Sequence, residues 1–405
     1  MAASALGQPG RAGAAGPLAG IRVLEMTTMI TGPLAGMMLG DWGADVIKIE
    51  SPDEGDPFRS FRDGQYSPHF CAYNRNKRSV ALDLRSPDGK AALSALVRES
   101  DVLLENFRPG VMNRLGFSDA RLVELNSRLV RCGINGFGPD GPYAKRPAYD
   151  AIAQAVSGMS SLFLEADDPK VTGPTIADNV TAHYACQGIL AALLERERGG
   201  QARRIDVNML EAALAFMPDP FAYYTQMGQV SDPYLRAHTS QSYAFVCSDA
   251  KTLMVHLSSQ AKFWERFAAA IGCPQMLVDP RLETRALRIA NYDLVRGTAA
   301  RAIARQPRDH WVQLLANADV PAAPVYDVTE VFDDAQIRHL DSFVVLEHPQ
   351  MGSVTSIRRP VYRDSSRDDQ PLRPPPVLGE HTREVLDALR ATPESTPHSF
   401  ESSSP

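Results

Sequence analysis

IRVLEMTTMITGPLAGMMLGDWGADVIKIE, residues 21–50, decides the fold. Ile21–Glu25 is a short apolar run that reads as a buried strand. The small apolar residues Pro33–Trp42 follow as a helix, with Pro33 in the first turn, where a missing N–H costs nothing, and Gly43 at the end. Asp45–Glu50 (DVIKIE) then returns as a second strand. Strand, helix and strand make a βαβ unit, which implies a parallel sheet and a right-handed crossover.

Working outward, the pattern recurs. Val80–Leu84 reads as a strand, Ser86-Pro87 caps a helix running to about Glu99, and Asp101–Glu105 is the next strand. A helix over Ser118–Val130 leads into a strand at Arg131–Asn135. Repeated alternation predicts an open α/β sheet with helices on both faces. Gly138–Pro147 is a loop, followed by helices over Asp150–Met159 and Asn179–Arg198, a strand at Arg204–Asn208 and a helix at Met209–Met217. Past Pro218 the texture changes. A hairpin at Ser242–Cys247 and Thr252–Leu257 and helices near Phe263–Ile271, Thr284–Ala304 and Asp309–Ala318 predict a smaller α+β domain over 221–329. The large domain takes 18–220 and 330–390, with Arg359–Pro376 extended. Residues 1–17 read as a disordered extension, with a transit peptide as the alternative, and 391–405 as a disordered Ser/Thr/Pro-rich tail.

The chain of 405 residues is 44% hydrophobic, enough for a sizeable core. Its 42 Lys and Arg against 48 Asp and Glu give a net charge of −6, which argues against broad binding to nucleic acid or an anionic membrane while leaving room for a local basic pocket. No stretch approaches the roughly 18–20 apolar residues of a membrane span. Five scattered cysteines without a C-x-x-C imply no disulfide framework or zinc site, and the cytoplasm fits this usage.

The dinucleotide, P-loop, serine-hydrolase and zinc-protease motifs are missing. Attention falls on Asp178, in GPTIADN (173–179), just ahead of a long helical pattern. As a helix cap it would accept free N–H groups of the first turn. As a nucleophile it would use the same geometry: a helix N-terminus favours an ionised carboxylate by about 0.3–1 kcal/mol and supplies donors for an oxyanion.

Gly32-Pro33, then LGDWGADVIKIE (39–50) with Gly55-Asp56-Pro57 and Arg59 behind it, resembles the opening of the class III CoA-transferases. That family includes the formyl-CoA:oxalate and crotonobetaine CoA-transferases and the related 2-methylacyl-CoA racemases. Further matches follow in the same order: NKRS (76–79), ENFRPG (105–110), YDAIAQA (149–155), Ala177-Asp178, RRIDV (203–207) and LGEHT (378–382). The resemblance covers about residues 18–390.

The resemblance implies a Rossmann-like large domain built from both ends of the chain, a small middle domain, and an interlocked homodimer. It places the nucleophile at Asp178, passing through an aspartyl-acyl anhydride and an aspartyl-CoA thioester. Coenzyme A, as acyl-CoA, and a small carboxylic acid are the implied partners, with no metal. CoA contacts fall at Asn76, Lys77, Arg78, Asn106, Phe107, Arg108 and Arg114, where Arg offers bidentate and Lys point-charge contact to phosphate. Substrate contacts fall at Met29, Ile30, Tyr149, Asp150 and His238. The chain departs from the formyl-CoA transferase pattern at Ile30, where that enzyme has Gln, and at Ser51, where an Arg would contact the nucleotide. Its stretch AHTSQ (237–241) replaces a Gly-rich loop and predicts a flexible loop around His238. His381 reads as part of a turn capping the last helix. Two alternatives stay open: an α-carbon racemase, disfavoured because Tyr149 stands where racemases place a His base, and a catalytically silent acyl-CoA-binding subunit.

Overall fold

In a computed structural model of the chain, the structure describes residues 16–61, 66–258, 260–367 and 371–391. The expected disordered segments lie outside these, apart from residues 16–17 and 391. The chain folds as two compact units. One comprises the residues up to Ser157, Gly173–Phe216 and those from Phe343 onward; the other comprises Gly158–Thr172 and Met217–Ser342. The expected boundaries at 220/221 and 329/330 differ from these. The excursion at 158–172 follows Gly158, which turns the chain with a φ of 81°.

Among the described residues of the first unit, six strands form a wholly parallel sheet. They are β1 (Arg22–Met26), β2 (Asp45–Glu50), β3 (Lys77–Ala81), β4 (Val102–Glu105), β5 (Val130–Asn135) and β6 (Arg204–Asn208), in the order β3-β2-β1-β4-β5-β6. This is the doubly wound Rossmann order, as expected, with its topological switch point between β1 and β4. Side chains alternate across the sheet with period two. Val23, Val46, Val102 and Leu104 face one core with helices α1 (Thr31–Asp41) and, later in the chain, Ile176–Glu197. Leu24, Ile47, Ile49 and Leu103 face the other, under the helix Pro87–Arg98.

Further helices of this unit are α2 (Pro68–Tyr73), α3 (Pro87–Arg98), α4 (Val111–Leu115), α5 (Asp119–Leu125), α6 (Asp150–Val156), α7 (Ile176–Glu197) and α8 (Met209–Phe216), with a last helix at Thr382–Ala391. Helix α2 is too short to show a period in the sequence; its mark is Ser67, whose hydroxyl accepts from the Phe70 N–H. The exposed N–H groups of edge strand β3 are met by the chain's C-terminal segment. His381 Nδ1 accepts from Ser79 N–H, and Thr382 Oγ1 accepts from Ala81 N–H, just ahead of the last helix. His381 therefore seals a sheet edge.

The second unit carries an antiparallel sheet of β7 (Ser242–Val246), β8 (Thr252–His256) and β9 (Ala322–Val325), packed on helices through Tyr243, Phe245, Phe267 and Trp311. The single helix expected over Thr284–Ala304 is two, Arg285–Ala290 and Tyr292–Ile303. Asn291 breaks it, because its side-chain amide bonds the carbonyls of Leu287 and Arg281. A further hairpin, β10 (Phe343–His348) with β11 (Gly352–Ile357), belongs to the first unit. Among the described residues no helix is long and apolar enough to cross a membrane.

Candidate active site

A crossover helix runs back against its strands, so α7 begins at the edge of the sheet where β1, β4 and β5 end. Helix α7 starts at Ile176, two residues after Pro174, and its N-cap Thr175 makes no side-chain capping bond. Asp178 is therefore the third residue of the helix and not its cap, which corrects the sequence reading. Its backbone N–H donates to Asp150 Oδ1 at 3.1 Å, while Gln154 Nε2 donates to Asp150 Oδ2 at 2.6 Å. Asp150 thus stitches the first turn of α6 to the first turn of α7 and takes the first-turn N–H that an N-cap side chain would otherwise bind.

The electrostatics follow. Burial, and then the charge of Asp150, push the Asp178 carboxyl up to about 7. The helix terminus does not keep Asp178 fully ionised at neutral pH as the sequence suggested; desolvation and a like charge win. A carboxyl raised in this way is a more basic carboxylate once ionised, and a more basic carboxylate is a stronger nucleophile toward a thioester carbonyl.

The switch point is built around Asn106, at the end of β4. Its Oδ1 accepts from Thr28 N–H at 3.0 Å and its Nδ2 donates to Thr28 O at 2.8 Å and to Thr31 Oγ1 at 3.2 Å. One side chain so ties the loop after β1 to the loop after β4, lining the crevice where open α/β sheets bind ligands. Next in that loop is Met29, with a φ of 66°, a conformation that costs a side-chain-bearing residue roughly 1–2 kcal/mol. Its N–H donates to Asp56 Oδ1 at 3.2 Å. Ile30 is buried among Phe58, Tyr66 and Phe70 as the residue preceding α1.

Of the residues expected to hold CoA, three are committed to the fold. Lys77 is enclosed, its ammonium donating to Pro33 O at 2.7 Å and Asn74 Oδ1 at 2.8 Å and pairing with Glu25 Oε2 at 2.9 Å. Burial lowers its pKa to about 8. Its ammonium is thus met by protein groups on several sides. Asn76 is also buried, bonding Asp41 Oδ1 and accepting from Arg373 N–H. Arg78 is held in a fork on Asp45 and reaches Glu384. Phe107, Arg108 and Arg114 follow Asn106 at the crevice. Phe107 packs partly into the core, while Arg108 and Arg114 are exposed. Among the described residues neither arginine has an ion-pair partner. Tyr149 is 62% exposed at the start of α6. Ser51 is exposed at the end of β2.

His238 belongs to the second unit and lies on a helical turn, Leu235–Thr239. Its ring sits 4.1 Å from that of Tyr292, and Arg285 bonds the carbonyls of Thr239 and Ser258. The stretch expected to be a flexible loop is a clamped turn.

Sequence reasoning missed three contributors. Gln154 lies four residues after Asp150, a helical spacing that faces the two together. Glu105 accepts from Phe107 N–H at 2.7 Å, and burial pushes its carboxyl up to about 7. Lys48 sits in the middle of DVIKIE, where a charge in a buried strand is itself the signal that partners exist. Among the described residues no cluster of His, Cys, Asp and Glu could hold a metal ion.

Comparison with known proteins agrees with this geometry. A model of CoA-transferase family III matches residues 18–382, and the chain belongs to that family. It is 35% identical over 319 residues to an acetyl-CoA:oxalate CoA-transferase of Acetobacter aceti, spanning 78% of this chain and 82% of the relative. To a succinate–glutarate CoA-transferase of Agrobacterium fabrum it is 34% identical over 388 residues, spanning 92% and 96%. A solved CaiB/BaiF family protein from Brucella suis superposes with a TM-score of 0.83 at 29% identity, covering 93% of this chain and 100% of that one. The protein is an enzyme of this class, a transferase whose substrates are CoA thioesters.

Proposed function

We propose that the enzyme moves CoA from an acyl-CoA donor to a small carboxylic acid, with Asp178 as covalent carrier. The observation that carries this reading is a half-buried carboxyl at the sheet's ligand edge, held beside Asp150 and titrating near neutrality. Asp178 attacks the thioester carbonyl, the C–S bond breaks, and an aspartyl-acyl anhydride forms with release of CoA thiolate. The thiolate attacks the aspartyl carbonyl, freeing the donor acid and leaving an aspartyl-CoA thioester. The acceptor carboxylate attacks that thioester and forms a second anhydride. The thiolate then attacks the acceptor's acyl carbon, which regenerates Asp178. Every bond made is matched by one broken.

Asn106 shapes the crevice for CoA, and Arg108 and Arg114 offer charge to its phosphates. Met29 borders the acyl group, with Tyr149 and Asp150 toward the acceptor; His238 is kept as a further substrate contact. The relatives' names make short dicarboxylic acids and acetate the acids to try first. The enzyme works as an interlocked homodimer in the cytoplasm. Incubation with acyl-CoA and hydroxylamine tests the reading: inactivation with a hydroxamate at Asp178 is the expected result, because an anhydride or thioester is attacked where a free carboxylate is not. A label elsewhere, or none under turnover, counts against covalent transfer.

A further inference from the structure

The loop after β1 is held by side chains at consecutive backbone groups. Thr27 O accepts from Lys48 Nζ at 2.7 Å, Thr28 N–H and C=O are both bound by Asn106, and Met29 N–H donates to Asp56 Oδ1. Behind the loop lies a buried ionic cluster. Lys48 Nζ pairs with Asp56 Oδ2 at 2.9 Å and Glu25 Oε1 at 3.0 Å, with each of these side chains at most 1% exposed. Lys48 therefore donates to Glu25 Oε1 and the Thr27 carbonyl and stands as the counter-charge of Asp56 Oδ2. Asp56 has two separate tasks on its two oxygens: Oδ2 balances Lys48, and Oδ1 accepts from Met29 N–H and from Phe58 N–H at 2.9 Å.

A buried ion pair is weak evidence for stability, since apolar residues of similar volume often do as well. Here the cluster grips a loop whose central residue adopts a left-handed conformation without being glycine. Strain of this kind persists only where surrounding contacts over-determine it. We propose that Asp56, oriented by Lys48, is a positioning residue for the transfer reaction, holding the Thr27–Met29 backbone at the switch point in the form that receives the CoA thioester. The proposal rests on the switch-point crevice being the CoA site.

Two substitutions test the two-oxygen grip of Asp56. Asp56→Asn has one acceptor oxygen for two tasks: set on Met29 N–H, it turns its amide N–H2 toward the Lys48 ammonium, donor against donor. Asp56→Glu keeps the charge beside Lys48 and displaces the acceptor by a methylene. The readouts are CoA affinity by calorimetry, KM and kcat with acyl-CoA, and thermal midpoint for the full chain. Positioning predicts that both variants lose at least tenfold in CoA affinity and rise at least tenfold in KM, with kcat at saturation changed less than threefold. CoA affinity within threefold of wild type in either variant, or a loss that falls on kcat with KM unchanged, overturns it. Hydroxamate formation at Asp178 in wild type is scored separately, so failure of the covalent reading stays distinct from failure of this one.

Discussion

At the scale of the residue, Asp178 shows how much one position depends on context. Its place near the start of a helix was legible from Pro174 and the apolar pattern behind it. Its ionisation was not, because that depends on Asp150, 28 residues earlier, taking the N–H that a cap would use. Linkage gives a prediction with a definite sign. The folded pKa of about 7 lies above the ordinary aspartate value of 3.8, so the folded state holds the proton more tightly. The contribution of Asp178 to stability is full below pH 4 and is lost as pH rises through 7. Asp178→Asn does not titrate and escapes that loss. Thermal or urea unfolding should therefore find the variant gaining on wild type between pH 4 and pH 8, while transfer falls by more than about a thousandfold. A variant that loses ground over that range would mean Asp178 is ionised by favourable contacts. The segment Asn76–Arg78 shows the same dependence: its tertiary partners Glu25, Asp41 and Asp45 lie far off in the chain and carry no local mark.

At the scale of the element, the strands were legible because each is a short apolar run set between turn and helix signals. Strand β2 runs Asp45–Glu50 as read, and β6 runs Arg204–Asn208 as read. Short or interrupted elements were not: α2 has no period to detect, and Asn291 breaks a helix by a side-chain bond to its own backbone. Helix α1 carries an element-scale prediction. A Cβ on Gly36 would lie 1.9 Å from Glu25 Oε2, and one on Gly32 would lie 2.3 Å from Thr27 Cβ. These glycines let α1 settle directly over the ionic cluster. Gly36→Ala forces Glu25 to move from its lysines, so a loss of about 1–3 kcal/mol or more is expected in denaturant unfolding. Gain of stability, the usual result of Gly→Ala inside a helix, would show that α1 does not rest on the cluster.

At the scale of the whole molecule, the sequence carried the doubly wound architecture, but the excursion of 158–172 into the second unit has no local signature beyond Gly158. Each unit exposes large apolar side chains. Val345 and Ile357 stand on the hairpin of the first, and Met227 and Val230 stand on the second, the last at 76% exposure. Apolar surface of this kind fits a dimer that covers it. For interlocked subunits, sedimentation on dilution should return a single dimeric species until unfolding begins, and a compact folded monomer would contradict that arrangement. The central claim, covalent transfer through Asp178, is tested most directly by oxygen isotopes. When an acceptor acid labelled with ¹⁸O in its carboxylate turns over with unlabelled acyl-CoA, the second anhydride collapses with its bridging oxygen left on the enzyme. Peptide mass spectrometry should find ¹⁸O in the carboxyl of Asp178 after turnover; no label there after many turnovers, with labelled acyl-CoA still formed, would contradict the account.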